Sequence, residues 1–338
     1  MSTMTMAAAL NAALRDELSA DESVVLIGED IGTLGGVFRV TDALQADFGP
    51  QRVIDAPLAE AGIIGTAVGM AYRGLRPVCE IQFDGFVYPG FDQLVAQVAK
   101  LHYRTRGRVR MPLTVRIPYG GGIGAVEHHS ESPEAYFAHT AGLRVVTAAS
   151  PQEAYQTLRA AIASDDPVIF FEPKGKYWTK GEVDRAATAD LTTAATVLKG
   201  TDATLVAYGP MVATALDAAI AASDEGISLE VIDLRSISPI DRHTVASSVR
   251  RTGRLIVTHE AAGTASVASE VITGVIEDCF EHLEAAPERV TGYDTPYPPA
   301  ALEEVFLPDL DRILDAVDRT LGRRNSRSHA PTEVEVSA

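Results

Sequence analysis

Between Asp55 and Ala71 the chain reads Asp-Ala-Pro-Leu-Ala-Glu-Ala-Gly-Ile-Ile-Gly-Thr-Ala-Val-Gly-Met-Ala, and Glu60 is its one charge after Asp55. Ala61, Gly62, Gly65 and Gly69 are small enough to let another backbone come very close, and Pro57 suits the first turn of a helix. A carboxylate drawn into such a seam loses hydration, so its pKa rises unless a partner compensates, and perturbed carboxylates mark functional sites. The competing reading puts Glu60 in a first helical turn, where it favours the positive dipole end. A second group follows a run of glycines: His128, His129 and Ser130. Adjacent histidines donate protons near neutral pH and stabilise a developing oxyanion, although one of the two is expected to be an ordinary packed loop residue. A third lies where Glu80 to Pro89 alternates as a strand and then runs into Phe83, Phe86 and Tyr88. Such clusters are usually core; beside a buried carboxylate they can also be a platform for a flat heterocycle.

Two further patterns point elsewhere and are set aside. Gly120-Gly121-Gly122-Ile123-Gly124-Ala125 satisfies the G-x-G-x-x-A form, but a dinucleotide site also needs a helix behind it and an acid at the next strand end. Glu127, His128, His129 and Pro133 interrupt that helix, and the next strand closes on Ala148 and Ala149. The glycines are expected to bring backbone close to something else. His128, His129, Glu131, Glu134 and His139 are crowded enough to suggest metal ligands, yet they lack the H-E-x-x-H interval, as does His259-Glu260. No phosphate-binding G-x-x-x-x-G-K-[ST] is present.

The elements that must position these residues alternate between short β-rich runs and helical patterns, which predicts an α/β protein with parallel-type sheets flanked by helices. Strands are expected over 24–27, 78–83, 113–117, 143–147 and 168–171, and helices over 5–18, 58–72, 91–102 and 151–163. From Lys174 to Leu198 the chain turns polar and irregular. The alternation resumes with strands over 203–208, 228–232 and 255–258, helices over 211–222 and 266–280, and a closing helix over 310–321. The division is therefore residues 1–175, a linker at 176–198, a second domain at 199–322, and a disordered tail at 323–338.

Composition bounds the function. A chain of 338 residues has room for two domains, and its 46% hydrophobic and 22% charged content is ordinary for a soluble globular protein. A formal net charge of -17 argues against nucleic acid and anionic membrane as partners, since both select basic surfaces. Cys79 and Cys279 are too few for a disulfide scaffold and suit a reducing cytoplasm. No basic region followed by an apolar run opens the chain, and the apolar stretch 62–72 is too short to span a bilayer. The expectation is a soluble cytoplasmic protein.

Taken in order, Pro57 to Gly62, Gly74 to Val78, Phe91-Asp92-Gln93, His129-Ser130 with His139, Val231 to Arg235 and His259-Glu260-Ala261 resemble the beta subunit of the thiamine-diphosphate-dependent decarboxylase component of the 2-oxo acid dehydrogenase complexes. The resemblance runs from about Gly28 to Pro299. It implies a pyrimidine-binding domain followed by a transketolase C-terminal-like domain. It also implies that Glu60 holds N1′ of the cofactor's aminopyrimidine, that Phe86 stacks on that ring, and that His129 assists acyl transfer to a lipoyl group. His128 would be its neighbour in the cofactor pocket. Family members further bind potassium through backbone carbonyls, which here would be those of Leu113, Ala161, Ile162, Ser164 and Asp166. Glu131 and Ala141 depart from the family pattern, and the extra carboxylate of Glu131 is expected to raise the pKa of His129.

The family holds the diphosphate through magnesium with a Gly-Asp-Gly motif and a later asparagine. This chain has no Gly-Asp pair, and its asparagines are Asn11 and Asn325. The resemblance thus implies an alpha subunit that carries the magnesium, in a two-plus-two heterotetramer, and a lipoyl-bearing acyltransferase as the next partner. Ser132 to His139, Phe171 to Lys174 and Phe83 to Phe86 look most like branched-chain members. Pyruvate and acetoin dehydrogenases are the alternatives, and a non-catalytic scaffold is a third reading that intact Glu60, Phe86 and His129 count against.

Overall fold

Parallel strands buried on both faces require unbroken apolar runs, and the computed structural model, which describes residues 1–323, places such runs at the centre of two sheets. In the first half the strands are β1 (Ser2–Thr5), β2 (Val24–Gly28), β3 (Val53–Asp55), β4 (Arg76–Glu80), β5 (Thr114–Tyr119), β6 (Arg144–Thr147) and β7 (Val168–Pro173). They continue with β8 (Lys180–Val183), β9 (Ala195–Leu198), β10 (Ala203–Ala207), β11 (Leu229–Asp233), β12 (Ser236–Ser238), β13 (Leu255–Ala262) and β14 (Glu288–Gly292). Strands β2, β5, β7, β10 and β11 are buried at every position.

The larger sheet has the order β12-β6-β7-β5-β4-β2-β3 and is parallel except for β12, which runs antiparallel to β6. The second sheet has the order β14-β13-β10-β11-β9, parallel except for the edge strand β9. The strand β12 belongs by sequence to the second half yet completes the first sheet, so the halves share a sheet edge. They also share a core: Phe137 and Phe171 sit in one apolar cluster with Tyr208, Ile237 and Val257.

The helix Pro151–Ala163 falls where the sequence places it, because Ser150 caps it, accepting from the Glu153 amide at 3.2 Å, and Pro151 opens the first turn. Other expectations shift. The helix expected from Leu58 begins at Glu60, with Pro57 outside it. The helix expected over 91–102 divides into Tyr88–Gln93, a π turn at Leu94–Val98 and Leu101–Arg104. The Ala99 amide reaches back to the Leu94 carbonyl at 2.9 Å, and Gly142 presses so close that a Cβ there would lie 2.1 Å from the Ala99 carbonyl oxygen. The 176–198 segment is not irregular throughout: β8 pairs with β1, and β9 pairs with β11. The expected tail lies, beyond Arg323, outside the described residues.

The helix Glu60–Tyr72 buries Ile63, Ile64, Ala67 and Ala71 and turns its small residues outward. Ala61, Gly62, Thr66 and Gly69 are exposed, flanked by Leu58 and Tyr72 at 58% exposure each. A Cβ at Gly69 would meet nothing within 4 Å. The close-packing seam therefore has no partner among the described residues.

Candidate active site

The site residues gather at the carboxyl ends of the parallel strands, where α/β sheets bind ligands. Strand β2 ends in Gly28 and leads to Glu29. Strand β3 leads to Glu60, β4 leads into the turn carrying Phe86, and β5 leads through the glycines to the histidines. Glu60 is 5% exposed at the first position of its helix, so burial and the dipole position hold together. Gly90 packs on its backbone; a Cβ there would lie 3.2 Å from the Glu60 carbonyl oxygen. The carboxylate has no hydrogen-bond or ion-pair partner among the described residues. Beside it Glu29 has a buried oxygen, Oε2, without a partner. Burial, followed by the charges of Asp30 and Glu60, pushes the Glu29 carboxyl up.

Phe86 lies half-buried in the 3₁₀ turn Asp84–Val87 and meets the His129 ring edge-on at 5.2 Å. Phe83 stacks on that imidazole at 3.9 Å, with rings 21° apart. His128 is exposed, 4.3 Å from His129 and 6.2 Å from Phe86 between ring centres. Nδ1 of His129 is 2.9 Å from the His128 carbonyl and so carries the hydrogen, which leaves Nε2 as the free nitrogen. Burial lowers the His129 pKa. The expected upward pull from Glu131 is not found, because that carboxylate turns instead toward the Tyr88 hydroxyl, which donates to it at 3.4 Å. Glu134 also leaves the histidines: it is fully buried and accepts from the Tyr208 hydroxyl at 2.6 Å.

The floor beneath these turns is charged. Arg116 is buried and donates to both oxygens of Glu172, at 2.6 and 2.9 Å, and to Glu80. The Tyr177 hydroxyl completes Glu172 at 2.6 Å. Above them Asp84 and Lys174, both almost wholly buried, form an ion pair. Neither Asp84, Lys174 nor Glu29 was singled out by sequence pattern, since only tertiary burial distinguishes them from surface charges.

The glycine run does bring backbone close to something: carboxylates of the second half. Gly121 donates to Glu260 at 2.9 Å, while Gly122 and Gly124 donate to Glu303 at 3.0 and 3.1 Å. Gly120, Gly122 and Gly124 have φ of 81°, 85° and 67°, a conformation open to glycine, which lets the amides of Gly121, Gly122 and Gly124 turn toward these two carboxylates. Beyond Glu260, His259 is fully buried, stacked 5.7 Å from Tyr208, and neither ring nitrogen meets a hydrogen-bond partner.

Burial pushes the His259 pKa down to about 4. As pH falls from the ordinary imidazole value near 6.5 towards that value, the unfolded chain binds the proton and the folded one does not. Stability is therefore present above 6.5 and is lost on acidification, by about 3 kcal/mol in all. Burial raises Glu134 to about 7, which works in the opposite direction. Comparing one variant with the parent isolates the histidine. His259→Phe keeps the ring stack and should flatten the fall in melting temperature between pH 6.5 and 4. Identical slopes would show that His259 is not protonated on unfolding in that range.

The carbonyls expected to hold potassium lie near the end of the helix Pro151–Ala163 and the starts of β5 and β7. Val168 donates to Leu113 at 3.0 Å, and Ser164 Oγ donates to the Asp166 carbonyl at 3.0 Å. Arg76 Nη1 already reaches the carbonyls of Ile162, Ala163 and Ser164 at 3.2, 3.3 and 3.0 Å. The Arg76 guanidinium thus already supplies positive charge to Ile162 and Ser164, two of these carbonyls, at a helix C-terminus that favours it.

This architecture, two sheets with the candidate residues at the carboxyl ends of the first, belongs to the transketolase class. Residues 2–179 match the transketolase pyrimidine-binding domain and residues 192–313 the transketolase C-terminal domain. A structure described as a split gene transketolase, inactive beta4 tetramer, superposes with a TM-score of 0.79 at 21% identity, covering 94% of this chain and 98% of its own. A pyruvate dehydrogenase E1 component subunit beta from Leifsonia xyli is 59% identical over 320 residues, 94% of this chain and 95% of the relative. Subunits beta of 3-methyl-2-oxobutanoate dehydrogenase from Mycobacterium tuberculosis and of 2-oxoisovalerate dehydrogenase from Pseudomonas aeruginosa are 52% and 44% identical. They cover 94% and 95% of this chain and 92% and 96% of their own lengths. The chain belongs to the beta subunits of the thiamine-diphosphate-dependent decarboxylase (E1) component of 2-oxo acid dehydrogenases. Among the described residues no helix is long and apolar enough to cross a membrane.

Proposed function

We propose that this chain is active only with an alpha subunit, in a cytoplasmic two-plus-two heterotetramer, and that the pair decarboxylates branched-chain 2-oxo acids and passes the acyl group to a lipoyl-bearing acyltransferase. The observation that carries the reading is the Glu60 side chain, almost wholly buried and with no hydrogen-bond partner among the described residues, beside Glu29, whose Oε2 is buried and unmet. A buried carboxylate with open lone pairs suits a ring nitrogen that must carry a proton. Thiamine diphosphate, when bound, supplies the nucleophilic carbon and the electron sink for decarboxylation. Glu60 would hold the proton at N1′, Phe86 would offer its half-exposed face to the aminopyrimidine, and His128 would line the rim. His129 Nε2 would move a proton at the lipoyl sulfur. The carbonyls of Leu113, Ala161, Ile162, Ser164 and Asp166 would hold potassium as a structural ion.

The diphosphate and its magnesium fall to the alpha subunit. Asn11, the asparagine within the described residues, is committed to the carbonyls of Val40 and Asp42 at 2.8 and 3.0 Å. The unpartnered small-residue face of the helix Glu60–Tyr72 supports packing against another subunit. Gly65→Leu should then impair assembly with the alpha subunit while the single chain folds and melts normally. A heterotetramer of normal stability in sedimentation would contradict that role for the seam.

Branched-chain substrates are supported by the local motifs and by the names of the 52% and 44% identical relatives. Pyruvate is the second reading, on the name of the 59% identical relative. Co-purification with an alpha subunit and comparison of kcat/KM on 3-methyl-2-oxobutanoate and pyruvate tests the choice. Pocket shape discriminates methylenes by ~10–200-fold, so a clear preference should emerge. A preference for pyruvate would replace the first reading with the second.

A further inference from the structure

Asp84 lies where three parts of the site meet. One carboxylate oxygen is paired with the Lys174 ammonium, which also lies 3.5 Å from the Pro118 carbonyl. The other accepts from the Glu131 amide at 3.0 Å. Asp84 opens the 3₁₀ turn that carries Phe86, and Glu131 closely follows the 3₁₀ turn Glu127–His129. Between the turns the backbones nearly touch: a Cβ on Gly85 would fall 2.3 Å from the His128 carbonyl oxygen. The His129 ring lies in the corner formed by Phe83 and Phe86, stacked on the first and edge-on to the second, and the Lys174 ammonium sits 6.0 Å from the Phe83 ring centre. Asp84 is 1% and Lys174 2% exposed. Burying two charges is expensive, and apolar residues of similar volume usually give equal or greater stability, so stability alone does not account for this pair. Its geometry does something apolar residues could not: it presents a fixed acceptor to one amide of the neighbouring turn.

We propose that Asp84, anchored by Lys174, is a positioning residue that fixes the histidine turn against the phenylalanine turn and so orients the His129 imidazole for acyl transfer. The proposal rests on the assignment of acyl transfer to His129. Burial first, and after it the charges of His128 and Lys174, lower the His129 pKa, in keeping with a ring held neutral.

Two charge-neutral double variants of the alpha–beta complex separate positioning from stability. Asp84→Asn with Lys174→Met keeps an acceptor for the Glu131 amide; Asp84→Leu with Lys174→Met removes it. The first should acylate a lipoyl domain within about threefold of the parent enzyme. The second should lose about tenfold in kcat, with KM for the lipoyl domain little changed, while decarboxylation measured with an artificial electron acceptor falls less than threefold. Equal acylation by both variants, or parallel loss in both assays, would overturn the proposal. If the leucine variant does not fold, Gly85→Ala displaces the same turn from the other side and must show the same selective loss; unaltered acylation would overturn the proposal. His129→Ala is the reference. A selective loss in His129→Ala without one in the Asp84 or Gly85 variants defeats the positioning role alone. If His129→Ala itself shows no selective loss, the acyl-transfer assignment fails and the positioning role falls with it.

Discussion

Glu60→Gln should leave fold and assembly intact and lower 2-oxo acid turnover by at least the ~100-fold typical of removing a general acid or base. The amide keeps the shape of the side chain but cannot share a proton with a ring nitrogen. Structural damage is not expected, because no described residue hydrogen-bonds the carboxylate and the neighbouring Glu29 carries a like charge. Removing that repulsion should hold the melting temperature level or raise it. Steady-state turnover and thermal melting of the same alpha–beta preparation provide the check. Near-normal turnover by folded Glu60→Gln would remove Glu60 from the chemistry.

His129→Ala should reduce lipoyl acylation by ~100-fold or more, the range for a positioned proton donor or acceptor, and reduce decarboxylation with an artificial acceptor far less. The two assays should diverge because His129 Nε2 is the free nitrogen of a ring stacked on Phe83 and edge-on to Phe86, whereas the role proposed for Glu60 is at the cofactor. Burial lowers the His129 pKa, so the imidazole takes its second proton at a lower pH than an ordinary histidine does. The acylation rate should therefore change on acidification at a pH below 6.5, and that limb should vanish in the variant. Equal losses in both assays would place His129 in cofactor or substrate binding. A larger selective loss in His128→Ala would reverse the roles of the pair.

Local pattern was enough to find the charged residue in an apolar run, the paired histidines and the aromatic cluster, because each departs from its surroundings over a few positions. It was enough for strands such as β2 and β7, whose apolar runs are continuous. Long-range pairings were not legible. Ser236–Ser238 is three residues of no distinctive pattern, and it becomes a strand because β6 of the first half offers an open edge. Lys180–Val183 and Ala195–Leu198 read as polar linker because edge strands tolerate exposed side chains. The glycine run was recognised as a close approach, but the carboxylates that meet it, Glu260 and Glu303, lie more than a hundred residues away. Lys174 opened what looked like a linker, and nothing in its neighbours indicated that its ammonium would be sealed against Asp84.

The central claim is that the cofactor site is divided between two chains, with the pyrimidine half here and the diphosphate half on an alpha subunit. Isothermal titration calorimetry with thiamine diphosphate and magnesium tests it most directly. The isolated chain should give little heat, and the same chain joined to its alpha subunit should bind two cofactors per two-plus-two assembly. Tight, stoichiometric binding by the isolated chain would contradict the divided site.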